Sequence, residues 1–189
     1  MIDPVTICNM AILKVGGNRI SNLVDDQPEA ILCADLYDTA IFGTMEDAEW
    51  SFAMGRDVLS PLTTTPVFGY GQKFALPKGC LRVTEASDEP YFVSGLSWVR
   101  EGKYVLADAE QLYIRYIQKI EDPLLYSHQF VHAASLKLAA ELAVPIASST
   151  KLKDQYEKEY AMALQSAANK DNMQGRPSFF KNYQTINVR

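Results

Sequence analysis

Histidine and cysteine are scarce in this chain of 189 residues, with two of the first and three of the second. That scarcity narrows metal and thiol chemistry before any motif is weighed. Cys8, Cys33 and Cys80 are odd in number, far apart and without a CxxC spacing, so neither a disulfide framework nor a zinc site is expected. An excess of positive charge is missing too: 18 Lys and Arg stand against 23 Asp and Glu, a formal charge of −5. Nucleic-acid binders carry a clustered basic face, whereas these cations are scattered, so affinity for DNA is not expected. Passage of DNA past an acidic wall is compatible with the balance. No apolar run approaches the ~18 residues of a membrane span, and Met1-Ile2-Asp3-Pro4 lacks the basic and apolar regions of a signal peptide. No membrane partner is expected, and a reducing cytosol suits synthesis.

What is present is ordinary for a folded chain: 48% apolar and 22% charged residues, with length for one domain and a small second lobe. Asp3-Pro4 pairs a cap with the residue favoured at the first helical position. Ile7, Met10 and Ala11 continue a helical stripe until Gly16-Gly17 stops it. A connector with Ile20 and Leu23 as anchors leads to Asp25-Asp26-Gln27-Pro28-Glu29. There Asp26 is expected to cap a helix and Glu29, three positions on, to complete a capping box. Ala30, Cys33, Ala34, Tyr37, Ile41, Met45 and Ala48 then form one buried face. Trp50, Phe52 and Ala53 read as a core-packed hinge, and Arg56 to Leu59 as a further helical turn.

Pro61, Pro66, Gly69, Gly71, Pro77 and Gly79 exclude a long helix and predict an ordered connection with extended pieces. Short β-rich runs follow at Leu81 and Val83, Tyr91 to Val93, Trp98-Val99, Tyr104 to Leu106 and Leu112 to Ile117. Glu101-Gly102-Lys103 is a hairpin turn between two of them. The runs predict a small antiparallel meander of about four strands. Helices return after Asp122-Pro123, with Phe130, Val131, Ala134, Leu138, Ala139 and Leu142 on one face up to Pro145, which should end or kink the helix. Ser148 or Ser149 caps the next, whose stripe is Leu152, Tyr156, Tyr160, Ala163, Leu164 and Ala167. The two should pack as an antiparallel hairpin, with i,i+4 pairs Lys153–Glu157 and Asp154–Lys158 outside. The expected fold is α+β, mainly α. Residues 1–60 and 123–173 form a helical bundle, 61–122 an extended connection and β-meander lobe, and 174–189 a C-terminal arm.

Catalytic motifs are incomplete. His128-Gln129-Phe130-Val131-His132 has the spacing of a zinc-protease helix, but Gln129 cannot act as a general base and no third histidine exists. No GxSxG elbow, P-loop or dinucleotide fingerprint occurs. Capping accounts for Asp25, Asp26 and Glu29. No enzyme activity, metal or cofactor is expected. A hydrolase acting on cell-wall or surface glycan is the alternative, and its groups would come from Asp108 and Glu110 or from His128 and His132. The arm is more informative: Arg176, Phe179, Phe180, Tyr183, Ile186 and Val188 lie in a segment too short for its own core, and they are candidate partner-binding residues.

Several blocks, in order, resemble the tail tubular protein A family of short-tailed bacteriophages. They are Ala11-Ile12-Leu13-Lys14-Val15-Gly16-Gly17 and Ile20-Ser21-Asn22-Leu23-Val24-Asp25-Asp26-Gln27-Pro28-Glu29-Ala30. Next come Cys33-Ala34-Asp35-Leu36-Tyr37-Asp38, Trp50-Ser51-Phe52-Ala53 with Arg56, and Tyr70-Gly71-Gln72-Lys73-Phe74-Ala75-Leu76-Pro77-Lys78-Gly79-Cys80-Leu81-Arg82-Val83. Tyr113-Ile114-Arg115-Tyr116-Ile117 and Ala139-Ala140-Glu141-Leu142-Ala143 close the series. The resemblance implies a ring-forming virion adaptor, commonly twelvefold, between the portal protein and the tail nozzle protein. It would line part of the channel through which DNA leaves as passing cargo. In related neck adaptors a terminal arm engages the portal, which makes 175–189 the candidate contact. A closed ring needs two different surfaces on each subunit, and an acidic lumen would keep DNA from adhering. Another head-completion or connector protein of similar build would differ in ring position only.

Overall fold

The computed structural model describes residues 2–93 and 95–171. In α1 (Pro4–Lys14) the Asp3 carboxylate accepts from the Thr6 amide at 2.6 Å, as the sequence predicts. Gly16, at φ +78°, ends the helix in a conformation that costs glycine little. Lys14, the last residue of α1, has a carbonyl without an intrahelical partner, and the Tyr156 hydroxyl donates to it. Asn9 pairs both amide atoms with the backbone of Ile20, at 3.0 and 2.9 Å, which lays the connector along α1.

The predicted capping box does not form. Gln27 occupies the N-cap of α2 (Pro28–Asp47) and makes no side-chain bond. Glu29 instead accepts from the backbone and side-chain amides of Asn18, at 3.1 and 3.2 Å, and Asp25 accepts from the amides of Ser21 and Asn22. The connector folds back over the start of α2, and its own unpartnered N–H groups take the carboxylates. Gln27 rather than Asp26 is thus the N-cap, and Asp25 and Glu29 hold the connector. On the helix itself Ala34 is exposed, while Ala40 and Thr44 are buried beside Cys33, Ile41 and Met45. The predicted stripe otherwise holds: Ala30, Cys33, Ile41 and Met45 are buried, and Tyr37 and Ala48 pack half-buried against the same cores.

After a single 3-10 turn at Ser51–Ala53, the chain enters β1 (Met54–Leu59) rather than the expected helical turn. β2 (Gln72–Ala75), β3 (Cys80–Ser87), β4 (Trp98–Glu101), β5 (Tyr104–Ala107) and β6 (Leu112–Gln118) complete two three-stranded antiparallel sheets, in the orders β1-β6-β3 and β2-β5-β4. Six strands thus replace the predicted meander of four, and the hairpin across Gly102-Lys103 is where expected. Tyr91 to Val93 is not a strand: Phe92 holds φ +57° and packs its ring 4.5 Å from the Arg115 guanidinium carbon. Gly55 leaves room for the Tyr116 ring opposite, which a Cβ there would meet at 2.7 Å.

The sheets face one another. Leu59, Val83, Leu112, Ile114 and Tyr116 of the first pack against Phe74, Val105 and Ala107 of the second, and Arg100 donates to the Leu81 carbonyl between them. Strand alternation turns Ile117 to the other side of β6, where it joins the helical core with Ile41, Trp50 and Phe130. A second helical core gathers Cys8, Ile12, Cys33, Leu138 and Tyr156. The expected class, α+β and mainly α, is the observed one.

α3 (His128–Ala147) and α4 (Thr150–Asp171) form the predicted antiparallel hairpin. Pro145 does not end α3; the helix runs two residues past it, because a missing N–H costs one bond near a terminus. The end comes at Ser148, whose φ of +49° lets the amides of Ser148 and Ser149 reach the Val144 and Ala143 carbonyls. Ser149 caps α4 through the Leu152 amide. By length and composition α3 could cross a membrane, but 61% of its apolar window is buried within the protein, as in the central helix of a bundle.

Asp47 ties three helices together. It ends α2, an unfavourable place for an acid beside the helix dipole, yet it accepts at 2.7 Å from both Lys137 of α3 and Tyr160 of α4. Burial alone would raise its pKa; those two bonds and the Lys137 charge outweigh it and hold the carboxyl below its ordinary value of 3.8. A depressed folded-state pKa gives stability that is complete above the unfolded value and lost as pH falls through the folded one. Asp47→Asn is expected to lower stability at pH 7 by about 1 kcal/mol or less, since the pair is half-exposed. The difference from the parent should shrink below about pH 4. Urea midpoints measured from about pH 7 down to about pH 3 check this; a constant difference would count against the clamp.

Candidate functional site

The loop between β1 and β2 is tied at both ends. Pro61 bridges to Phe74, and the Leu62 amide donates to the Lys73 carbonyl at 2.8 Å. At the far end the Gly71 amide donates to Asp108 Oδ1 at 2.6 Å, and the Tyr70 hydroxyl meets Ser97 Oγ at 3.1 Å. Between these anchors the chain projects two large apolar side chains into solvent: Val67 is 97% and Phe68 87% exposed. Burying such side chains is worth about 1.5–3 kcal/mol each, a gain the loop forgoes within this chain.

The strands beneath extend this surface. Thr65, Pro66, Val67 and Phe68 form one side of a cleft of about 260 Å³, and Lys73, Glu101, Tyr104 and Leu106 the other. Alternation places Lys73, Tyr104 and Leu106 on the outer face of the β2-β5-β4 sheet, opposite the buried Phe74 and Val105. Lys73 Nζ lies 3.9 Å from the centre of the Tyr104 ring. The result is an apolar tip beside an aromatic shelf with one cation, the composition of an interface anchor.

A second concavity, of about 520 Å³, lies between the first turns of α3 and the last turns of α4, and His128, His132, Leu136, Glu159, Met162 and Ala167 are among its walls. The two imidazoles are exposed and one turn apart, as predicted. Gln129 lies on the same wall, and no group of three or more metal-binding side chains occurs among the described residues. Asp108 and Glu110, the carboxylates of the alternative reading, are exposed at the turn between β5 and β6. Asp108 is engaged by the Gly71 amide, and neither residue lines the two concavities.

Cys8 and Cys33 are free, buried thiols in the helical core, where a hydrogen bond to Cys33 and burial push the Cys8 thiol upward. They act as small apolar side chains. Arg176, Phe179, Phe180, Tyr183, Ile186 and Val188 lie outside the described residues.

No protein-family model matches the chain, and no curated protein matches it either. Sequence reading placed Val67 and Phe68 only within a connection. The available signal was two bulky apolar residues in a Thr-Pro-Gly segment whose pattern gives them no core face to join.

Proposed function

We propose that the chain is a structural, non-enzymatic, ring-forming adaptor of the tail tubular protein A kind. In this reading it joins a phage portal to the tail nozzle and lines part of the DNA exit channel. The observation that carries the assembly part is the Val67–Phe68 tip, on a loop tied at both ends yet left unburied. The phage setting rests on the order and spacing of the matching sequence blocks, and the four-helix bundle with a β lobe is the build that resemblance implies. A closed ring requires heterologous contacts, in which the tip of one subunit meets a different surface of the next.

Light scattering with and without the portal protein tests the reading. The expected result is a mass several times 21.1 kDa for the chain alone, or a complex heavier than the portal by several times 21.1 kDa once the portal is added. A chain that stays monomeric and ignores the portal contradicts it.

A further inference from the structure

We infer that the groove between the start of α3 and the end of α4 is the docking site of the chain's own C-terminal segment, residues 172–189. This stands apart from the adaptor reading and holds or fails without it.

Location is the first argument. The groove ends at Ala167, and the chain leaves α4 at Asp171, one turn further on. From Asp171 to Phe179 is eight residues, a reach of up to about 28 Å. The distance back along α4 to Met162 is only about 14 Å at 1.5 Å per residue. The helix-breaking run Gly175-Arg176-Pro177-Ser178 lies where the chain would have to reverse.

Chemistry is the second. Leu136, Met162, Ala163 and Ala167 give the groove an apolar floor, and Met162 stays 69% exposed. A flexible thioether accepts aromatic rings readily, and the segment supplies Phe179, Phe180 and Tyr183.

Charge is the third. Residues 172–189 hold Arg176, Lys181 and Arg189 and no acid. Glu159, among the residues lining the groove, gives these cations a carboxylate to meet there.

Methyl NMR of the full chain with labelled methionines tests the inference, with the Met162 signal identified through Met162→Leu. Changing Phe179 and Phe180 together to serine is expected to move the Met162 methyl out of the ring currents at every protein concentration, while buried Met45 stays in place. A Met162 signal that does not move overturns the inference. One that moves only at high concentration assigns the groove to the segment of a second copy and also overturns it. Met162→Glu supplies an independent readout: trypsin cleavage after Lys181 should accelerate on the order of tenfold, and equal rates would contradict docking.

Discussion

Replacing Phe130 with alanine is expected to destabilise the protein by about 3–5 kcal/mol, a large part of the 5–15 kcal/mol that holds a typical domain together. Phe130 is fully buried and touches three other rings, with centroids 5.2 Å from Trp50, 5.0 Å from Phe52 and 4.8 Å from Tyr126. Those rings belong to the segment leaving α2 and to the turn preceding α3, so the cluster fixes the joint between bundle and β lobe. Two polar bonds hold it in place. The Trp50 indole donates to the Thr44 carbonyl at 2.7 Å, satisfying an acceptor in the last turn of α2, and the Tyr126 hydroxyl donates to the Ile120 carbonyl at 2.9 Å. Truncation would leave a cavity between elements locked by these bonds and poorly able to collapse. The urea midpoint should fall by about 2 M, with Phe130→Leu losing much less. A Phe130→Ala protein with the parent midpoint would show that the aromatic joint does not hold the two parts together.

The second large effect concerns association. Val67→Asp combined with Phe68→Asp is expected to abolish self-association, or association driven by the portal, while leaving the urea midpoint nearly unchanged. Both side chains are almost fully exposed, and surface changes away from special features usually stay within about 0.5 kcal/mol. In an interface the same positions become buried charges without partners, and losing one anchor costs about 2 kcal/mol or more. Repeated around a ring, a loss of that size at each contact prevents closure. Sedimentation velocity at matched concentrations separates the outcomes. A variant that assembles like the parent would remove the tip from the account.

The helices were legible in the sequence because their signals are local. Asp3-Pro4, Gly16 and Ser149 act within a turn of where they stand, and the α4 stripe from Leu152 to Ala167 is buried or half-buried throughout. The errors share a cause of the opposite kind. Met54–Leu59 is a strand because β6 pairs with it from Leu112 to Ile117, and nothing inside its own six residues announces that. Tyr91 to Val93 has strand composition without a strand partner. Asp26 and Glu29 match a capping box, but Asn18 supplies a competing donor. The anchoring of the tip has the same non-local origin, since its ties run to Phe74, Asp108 and Ser97.

The most direct test of the adaptor account is a cryo-electron microscopy reconstruction of the neck of particles that carry this chain. The account predicts a closed ring of copies between portal and nozzle, with Val67 and Phe68 buried against a neighbouring subunit. A neck without the chain, or a ring in which both side chains still face solvent, would contradict it.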